Sequence, residues 1–317
     1  MTLPPIVSPG RTFLDQPLTS LDAVGSGDIA ILGAPEGTPY PARGEVGYEL
    51  TTKSADAPQA IRDSANETSS NIDHYDYDLG GTLLGDGKRR LVDCGDLLLN
   101  ATDGPGNRDA IQTATRAVLE KGGIPFLLGG DDSVPIPFLR AFGGSQPIDI
   151  LQIDAHIDWR DSIAGVQDGY SSTMRRASEL PFVRSITQIG MRGVGSARQS
   201  EVDAALEWGA TILPMAQTRA LGPDGIVGEI PVGGQLVIQI DCDAFDPSVC
   251  PAVNAPTPGG FHFDGLAAII RAVVAARQLA GFSIVELVPC EDHNTISAIA
   301  AARIVCNAIG ALARCPA

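Results

Sequence analysis

The sequence predicts an α/β protein of three layers, a mostly parallel sheet of eight strands with helices covering both faces. Three observations lead there. Short apolar or β-branched runs recur along the chain, each ending in Gly, Asp or Pro. Helix-periodic segments separate several of these runs, as crossover helices separate parallel strands. The central runs are continuously apolar, which is the composition of strands buried on both faces.

In chain order the strand candidates are DIAILGAP (28–35), RLVDCGD (90–96), IPFLLGGDD (124–132), the run through DILQIDAHID (148–158), SITQIGMRG (185–193), ATILP (210–214), QLVIQIDCDAFDP (235–247) and FSIVELVP (282–289). Helical patterns fall at 107–121, 133–142, 197–208, 263–280 and 296–313. Residues 1–27 read as an irregular N-terminal extension to a single domain over 28–317, a length that one large α/β domain can bury. The stretch 36–55 is too long for an ordinary connection and is expected to wrap over a site or a subunit boundary, and 63–90 has the same character more weakly.

Composition excludes several classes. With 44% hydrophobic and 19% charged residues in 317, the chain is not disordered. Acidic side chains outnumber basic ones 38 to 22, and the net charge of −16 argues against nucleic acid and favours cationic small molecules. No basic and then apolar leader opens the chain and no run of about 18 apolar residues stands out, so a soluble, cytoplasmic protein without a membrane partner is expected. Six cysteines without a CxxC pair read as buried thiols in a reducing compartment.

Ligands of open parallel sheets gather outside the carboxyl ends of strands. Here those ends are acidic: Gly130-Asp131-Asp132-Ser133, Asp154-Ala155-His156-Ile157-Asp158 and Asp241-Cys242-Asp243-Ala244-Phe245-Asp246-Pro247. Strand alternation would set Asp154, His156 and Asp158 on one side, with Asp241 and Asp243 likewise together. Taken singly each piece has a structural reading, Asp132 as the cap of a helix starting near Ser133 and Asp246-Pro247 as a turn. Together they point to a metal site, because clustered buried carboxylates repel unless a cation compensates them. Oxygen ligands with one imidazole suit a divalent ion such as Mn²⁺, and the surplus of carboxylates suggests two ions holding a nucleophilic water.

These motifs resemble those of the ureohydrolases, the arginases and agmatinases, whose signatures are GGDHS, DAHxD and SxDxDxxDP. The resemblance runs in order along nearly the whole chain: Ala57-Pro58-Gln59-Ala60-Ile61-Arg62 is similar to GPxAIR, Asp93-Cys94-Gly95-Asp96 to DxGD, Pro256-Thr257-Pro258-Gly259-Gly260 to TPxPGG, and Glu286 to the glutamate of EVNP. It implies an arginase-like fold, assembly as a homo-trimer or homo-hexamer, and two divalent ions, Mn²⁺ foremost with Ni²⁺ or Co²⁺ as alternatives. By position, Asp132, Asp154, Asp158 and Asp241 would hold one ion and Asp154, His156, Asp241 and Asp243 the other. A hydroxide between them would attack a guanidinium carbon oriented by Glu286, with Asp158 assisting, to give urea and an amine.

Three departures stand out. Asp132 replaces the histidine of GGDHS, so five carboxylates and one imidazole with two divalent ions and a hydroxide leave a formal −2 where the family set leaves −1, which raises the pKa of the bound water. Ser171 stands where the family commonly has a proton-shuttling histidine, and a serine cannot buffer a proton near neutral pH, which makes His262 and His293 candidates for the task. Val253-Asn254-Ala255 replaces a small Gly-Thr-Gly-like stretch at the substrate entrance, and Trp159 and Arg160 follow DAHID where substrate contacts are common. Arg160 either meets a distal carboxylate of a guanidino acid or makes a local salt bridge.

An agmatinase-like hydrolase of a small guanidino compound is therefore expected, with a guanidine, biguanide or guanidino-acid hydrolase as variants. A second class is a catalytically weak subunit paired in a hetero-oligomer with an active homologue, motivated by the two lost histidines. A single-zinc deacetylase of related fold fits the carboxylate count less well.

Overall fold

The computed structural model describes residues 2–40, 53–144 and 146–316. In chain order the elements are β1 (Ile6–Val7), β2 (Ile29–Ala34), α1 (Ala57–Ser69), β3 (Leu91–Leu97), α2 (Gly104–Glu120), β4 (Ile124–Gly129), α3 (Pro135–Arg140), β5 (Ile148–Ile153), α4 (Thr173–Ser178), β6 (Val183–Met191), α5 (Gln199–Trp208), β7 (Thr211–Pro214), α6 (Met215–Glu229), β8 (Gln235–Asp241), α7 (Phe263–Ala276), β9 (Leu279–Val285) and α8 (Ile296–Ala313). They form one sheet in the order β1-β3-β2-β4-β9-β8-β5-β6-β7, parallel except for β1.

Among the described residues the sheet has nine strands, not eight. The ninth, β1, lies inside the stretch expected to be irregular and pairs antiparallel with β3. The rest of that stretch is tied down too, since Phe13 and Leu14 are buried and the Phe13 N–H donates to Asp93 Oδ2.

Alternation along the strands separates two cores. Ile29 and Ile31 of β2 and Leu151 and Ile153 of β5 face the layer of α1, α6, α7 and α8. Ala30, Leu32, Ile148 and Ile150 face the layer of α2, α3, α4 and α5. Both faces being covered explains why the strands read as unbroken apolar runs. The similarity to GPxAIR and DxGD also finds its physical basis here. Arg62 of α1, wholly buried, donates to both oxygens of Asp93 at 2.8 and 3.0 Å and to Asp96 Oδ1 at 2.5 Å, both on β3.

Three of the described helices carried no helical signal in the sequence. α1 is mostly polar, α4 is a turn and a half, and α6 holds Gly222 at φ 63° followed by Pro223, a pair that reads as a break and produces a kink. The helix α8 is long and apolar enough by composition to cross a membrane, but 83% of it is buried inside the protein, so it is a core helix. Its Arg303 pairs with Asp76 and Asp78. Of the six free thiols, four are buried, whereas Cys290 is exposed and Cys315 half-buried.

Candidate metal centre

The sheet order sets the site. After β4 the chain crosses to β5, leaving a gap that β9 and β8 later fill, so the carboxyl ends of β4, β9, β8 and β5 lie side by side. Each delivers an acid: Asp132 after β4, Glu286 after β9, Asp241 at the end of β8 and Asp154 after β5.

Strand alternation does not place the remaining ligands, because the strands stop earlier than expected. β5 ends at Ile153 and β8 at Asp241. Asp154 Oδ1 accepts the His156 N–H at 2.6 Å and Asp241 Oδ1 accepts the Asp243 N–H at 2.7 Å, and these short side-chain turns end both strands. Asp158 lies beyond, at φ 45°, and Glu286 has φ 68°. Two bulky residues in the left-handed region at one site are strain that the surrounding packing holds.

Two groups of ligand atoms result, each with its members within 4.8 Å of one another: Asp132, Asp154 and Asp241, and Asp154, His156 and Asp243. Asp154 belongs to both. Asp158 joins neither group, and its Oδ2 instead accepts Gln152 Nε2 at 2.8 Å. In the second group His156 Nδ1 lies 2.9 Å from Asp243 Oδ2, and Gly195 packs so tightly on the imidazole that a Cβ there would sit 2.5 Å from its Cδ2.

The electrostatics favour a cation. Burial and then the neighbouring carboxylates push Asp132, Asp154 and Asp241 well above the usual carboxyl range, and burial raises Asp158. Burial, with Asp131 adding, takes Glu286 to about 8. Burial pulls the His156 imidazole down, but the bond to Asp243 and the nearby acids outweigh it and its pKa rises. Among the described residues no Lys or Arg pairs with Asp132, Asp154 or Asp241, and Asp132 Oδ2 is buried without a hydrogen-bond partner. An orphaned carboxylate oxygen in such a group fits a divalent ion as its missing partner.

The groups open on a cavity of about 230 Å³, walled also by Tyr170, Ser171, Val194, Ser196, Asn254 and Ala255. Glu286 Oε1 accepts the Asp132 N–H at 2.8 Å and Oε2 accepts Asn254 Nδ2, which fixes both oxygens. Asp132 is not the helix cap. Asp131 accepts the Ser133 N–H and hydroxyl in the turn that precedes α3, whose first turn has no side-chain cap, and the Asp132 side chain is left to the site. Asp246 does close a turn, accepting from Ser248, Gly259 and Gly260, and these bonds hold its carboxyl far below the usual range.

Other expected residues lie elsewhere. Trp159 is buried in the core with its ring 6.0 Å from Trp208, so it offers no substrate contact. Arg160 turns to Glu201, at 3.3 Å, and to the Ser196 carbonyl, the local salt bridge and not a cation facing the cavity. His262 is exposed at the start of α7 and His293 is exposed beside Asn294, and neither lines the cavity. Residues 41–52 of the stretch expected to cover the site lie outside the described residues. Its described end, Tyr40, is buried edge-on against Tyr170 and accepts the Ser171 N–H.

Sequence reasoning missed a row of buried amides. Gln188 of β6, Gln152 of β5 and Gln239 of β8 stand in register on adjacent strands. Gln152 and Gln239 each precede a site aspartate by two residues and so share its face. The signal was available: Gln239 occupies the serine position of SxDxDxxDP.

Comparison with known proteins agrees with this geometry. The model of the arginase family matches residues 28–310. The N(1)-aminopropylagmatine ureohydrolase of Thermococcus kodakarensis is 30% identical over 81% of this chain and 84% of its own length. The proclavaminate amidinohydrolase of Streptomyces clavuligerus is 27% identical over 87% and 85%. Among solved structures, the agmatine ureohydrolase of Thermoplasma volcanium superposes with a TM-score of 0.74 at 26% identity, over 93% of this chain and 92% of its own. The structure of a proclavaminate amidinohydrolase from Streptomyces clavuligerus superposes with a TM-score of 0.82 at 24% identity, over 99% and 98%, a likeness of fold. With the family model spanning most of the chain and a relative at that identity, this protein belongs to the arginase family of ureohydrolases.

Proposed function

We infer that the protein hydrolyses a C–N bond of a small guanidino compound to urea and an amine, in the manner of an agmatinase, with two divalent ions, Mn²⁺ foremost. One observation carries this reading: two ligand groups share Asp154 beside the glutamate that a planar cation would need. Asp132, Asp154 and Asp241 would hold one ion, and Asp154, His156 and Asp243 the other. Bound there, such ions supply a water ionised near neutral pH as nucleophile.

The chain's own residues do the rest. Glu286, with both oxygens fixed, accepts N–H groups from the guanidinium and turns its plane toward the ligand groups. A bound guanidinium also draws Glu286 into its ionised form. Ser171 lines the cavity but its hydroxyl neither gains nor loses a proton near neutral pH, while Asp158 is a cavity carboxyl outside both groups, steadied by Gln152, and is placed to take up a proton and return it.

The cavity's size and wall favour a compact substrate. Apart from the acids and His156, the described lining side chains are uncharged, and Arg160 is held by Glu201, so a guanidino acid finds no anchoring cation among the described residues. Guanidine and biguanides, with short remainders, fit this wall. The test is metal stoichiometry on protein prepared with Mn²⁺, Ni²⁺ or Co²⁺, followed on the same sample by urea release from agmatine, guanidinobutyrate, guanidinopropionate, arginine, guanidine and biguanides. Two ions per chain with urea from one of these is expected. Two ions with no urea across the panel overturns the substrate class, and fewer than one ion overturns the hydrolase and favours a silent partner of an active homologue.

A further inference from the structure

The two departures that sequence comparison would score separately touch each other. Asp132 stands where GGDHS has histidine, Gln239 stands where SxDxDxxDP has serine, and Gln239 Nε2 donates to Asp132 Oδ1 at 2.6 Å. Both residues are buried, Gln239 completely. An amide carbonyl at that distance would set two acceptors face to face, so the nitrogen must be the atom that meets the carboxylate. The other end of the amide, Gln239 Oε1, is buried with no partner among the described residues. Burying an unpaired carbonyl is unfavourable, and a serine or an apolar residue would avoid it. What Gln239 supplies in return is the one bond to Asp132.

That bond has a geometric consequence. It occupies Oδ1 and leaves Oδ2, buried and without a partner among the described residues, as the oxygen that Asp132 can offer beside Asp154 and Asp241. Gln152, next in the row, also donates to site acids, to Asp154 Oδ2 and Asp158 Oδ2 at 2.8 Å each. Gln188 fixes Gln152 in turn by donating to its Oε1, and donates also to the Ile157 carbonyl at 2.9 Å. A carboxylate has two equivalent oxygens and more ways to turn than an imidazole, so a site that accepts aspartate in place of histidine needs a donor to select one oxygen.

Resting on the binuclear reading above, we propose that Gln239 is a positioning residue which makes Asp132 a competent metal ligand, so that the two residues exchange as a pair for the family's histidine and serine. The test is Mn²⁺ binding to the full chain after chelator stripping, read by competition with a chromophoric indicator and by ions per chain. The parent is expected to hold two ions. Gln239→Met keeps the volume and removes the donor, and it weakens one ion about 10–100-fold while the other is kept. In the Asp132→His background, Gln239→Ser changes the affinity less than about 3-fold, because the carboxylate that needed holding is gone.

Melting of the stripped proteins checks the fold. If Gln239→Met does not fold, Gln239→Ser beside Asp132 carries the test, with the same 10–100-fold loss expected. If neither folds but Asp132→His with Gln239→Ser does, the pairing is upheld, and if that pair also fails the row is structural and the proposal falls. Gln239→Met or its serine substitute binding both ions as tightly as the parent overturns it, as does an equal loss whichever residue stands at 132. A parent that holds fewer than two ions overturns the hydrolase reading, and this proposal with it.

Discussion

Removing the divalent ions and raising the pH are expected to destabilise the protein together. Burial takes Glu286 from 4.5 to about 8 and Asp131 from 3.8 to about 6, and Asp132, Asp154 and Asp241 move the same way. The sign follows from which state holds more protons. Between an acid's unfolded value and its raised folded value, the folded chain keeps the proton that the unfolded chain releases, so stability falls as pH rises through that window. At 1.36 kcal/mol per pH unit, Glu286 alone corresponds to ~5 kcal/mol lost between about pH 4.5 and 8, and Asp131 to ~3 kcal/mol between about pH 3.8 and 6. Acids held low by their partners, such as Asp28, Asp78 and Asp246, act the other way, but only at pH values below about 4.

Water entering the cavity relieves part of the penalty, so a net loss of ~3–5 kcal/mol between about pH 5 and 8 is expected for the metal-free chain. Ions reverse the trend, because they bind the deprotonated ligands and bind the folded chain alone. At a hundred times its Kd each ion adds ~2.7 kcal/mol, and more of this is realised at high pH than at low. The assay is urea unfolding at 25 °C, with chelator and with excess Mn²⁺, across that pH range. A chelated protein as stable at pH 8 as at pH 5 refutes the reasoning, and so does a Mn²⁺ effect of equal size at both.

Three further outcomes are expected. Glu286→Gln keeps the shape and loses the charge, so it should leave two ions in place and lower kcat/KM by about 10²-fold, the worth of a charge-assisted hydrogen bond; unchanged turnover would remove Glu286 from the substrate. Arg62→Met strands Asp93 and Asp96 in the core and should cost ~3–5 kcal/mol in urea unfolding, with metal stoichiometry of the folded fraction unaltered. His262→Asn and His293→Asn should each leave kcat within about 2-fold across the pH profile, because neither side chain reaches the cavity; a lost limb of the profile in either would show that the proton travels through it.

Much of this was legible because the anomalies were local. An acid at the end of a buried strand is expensive unless it is used, and Asp132, Asp154 and Asp241 announce themselves so, whereas Glu286 was legible only through its resemblance to the EVNP glutamate. What the sequence hid was orientation. Trp159 and Arg160 adjoin the ligand loop, yet one turns into the core and the other to Glu201, since direction after a strand end is set by turns and not by alternation. Alternation failed for His156 and Asp158 for the same reason. Gln152 and Gln239 were hidden differently: a single glutamine in an apolar run looks like a strand residue, and only the register of β5, β6 and β8 shows that three of them meet. The strand β1 was too short to show a period at all.

The exchange of an imidazole for a carboxylate at position 132 adds negative charge where charge is already crowded, and the fold answers with polar hydrogens instead of cations. Amide N–H groups of Gln152 and Gln239 and backbone N–H groups of Ala155, His156 and Asp243 all point at site carboxylates. A lysine or arginine in those places would neutralise more, but it would compete with the metal ions and with a guanidinium substrate for the same oxygens. Arg192, which does come near, spends its guanidinium on the carbonyls of Asp243, Phe245 and Thr257. Neutral donors orient the carboxylates and leave the cavity's field negative, and a negative field in a small cavity is what draws in and holds the cations this reading requires.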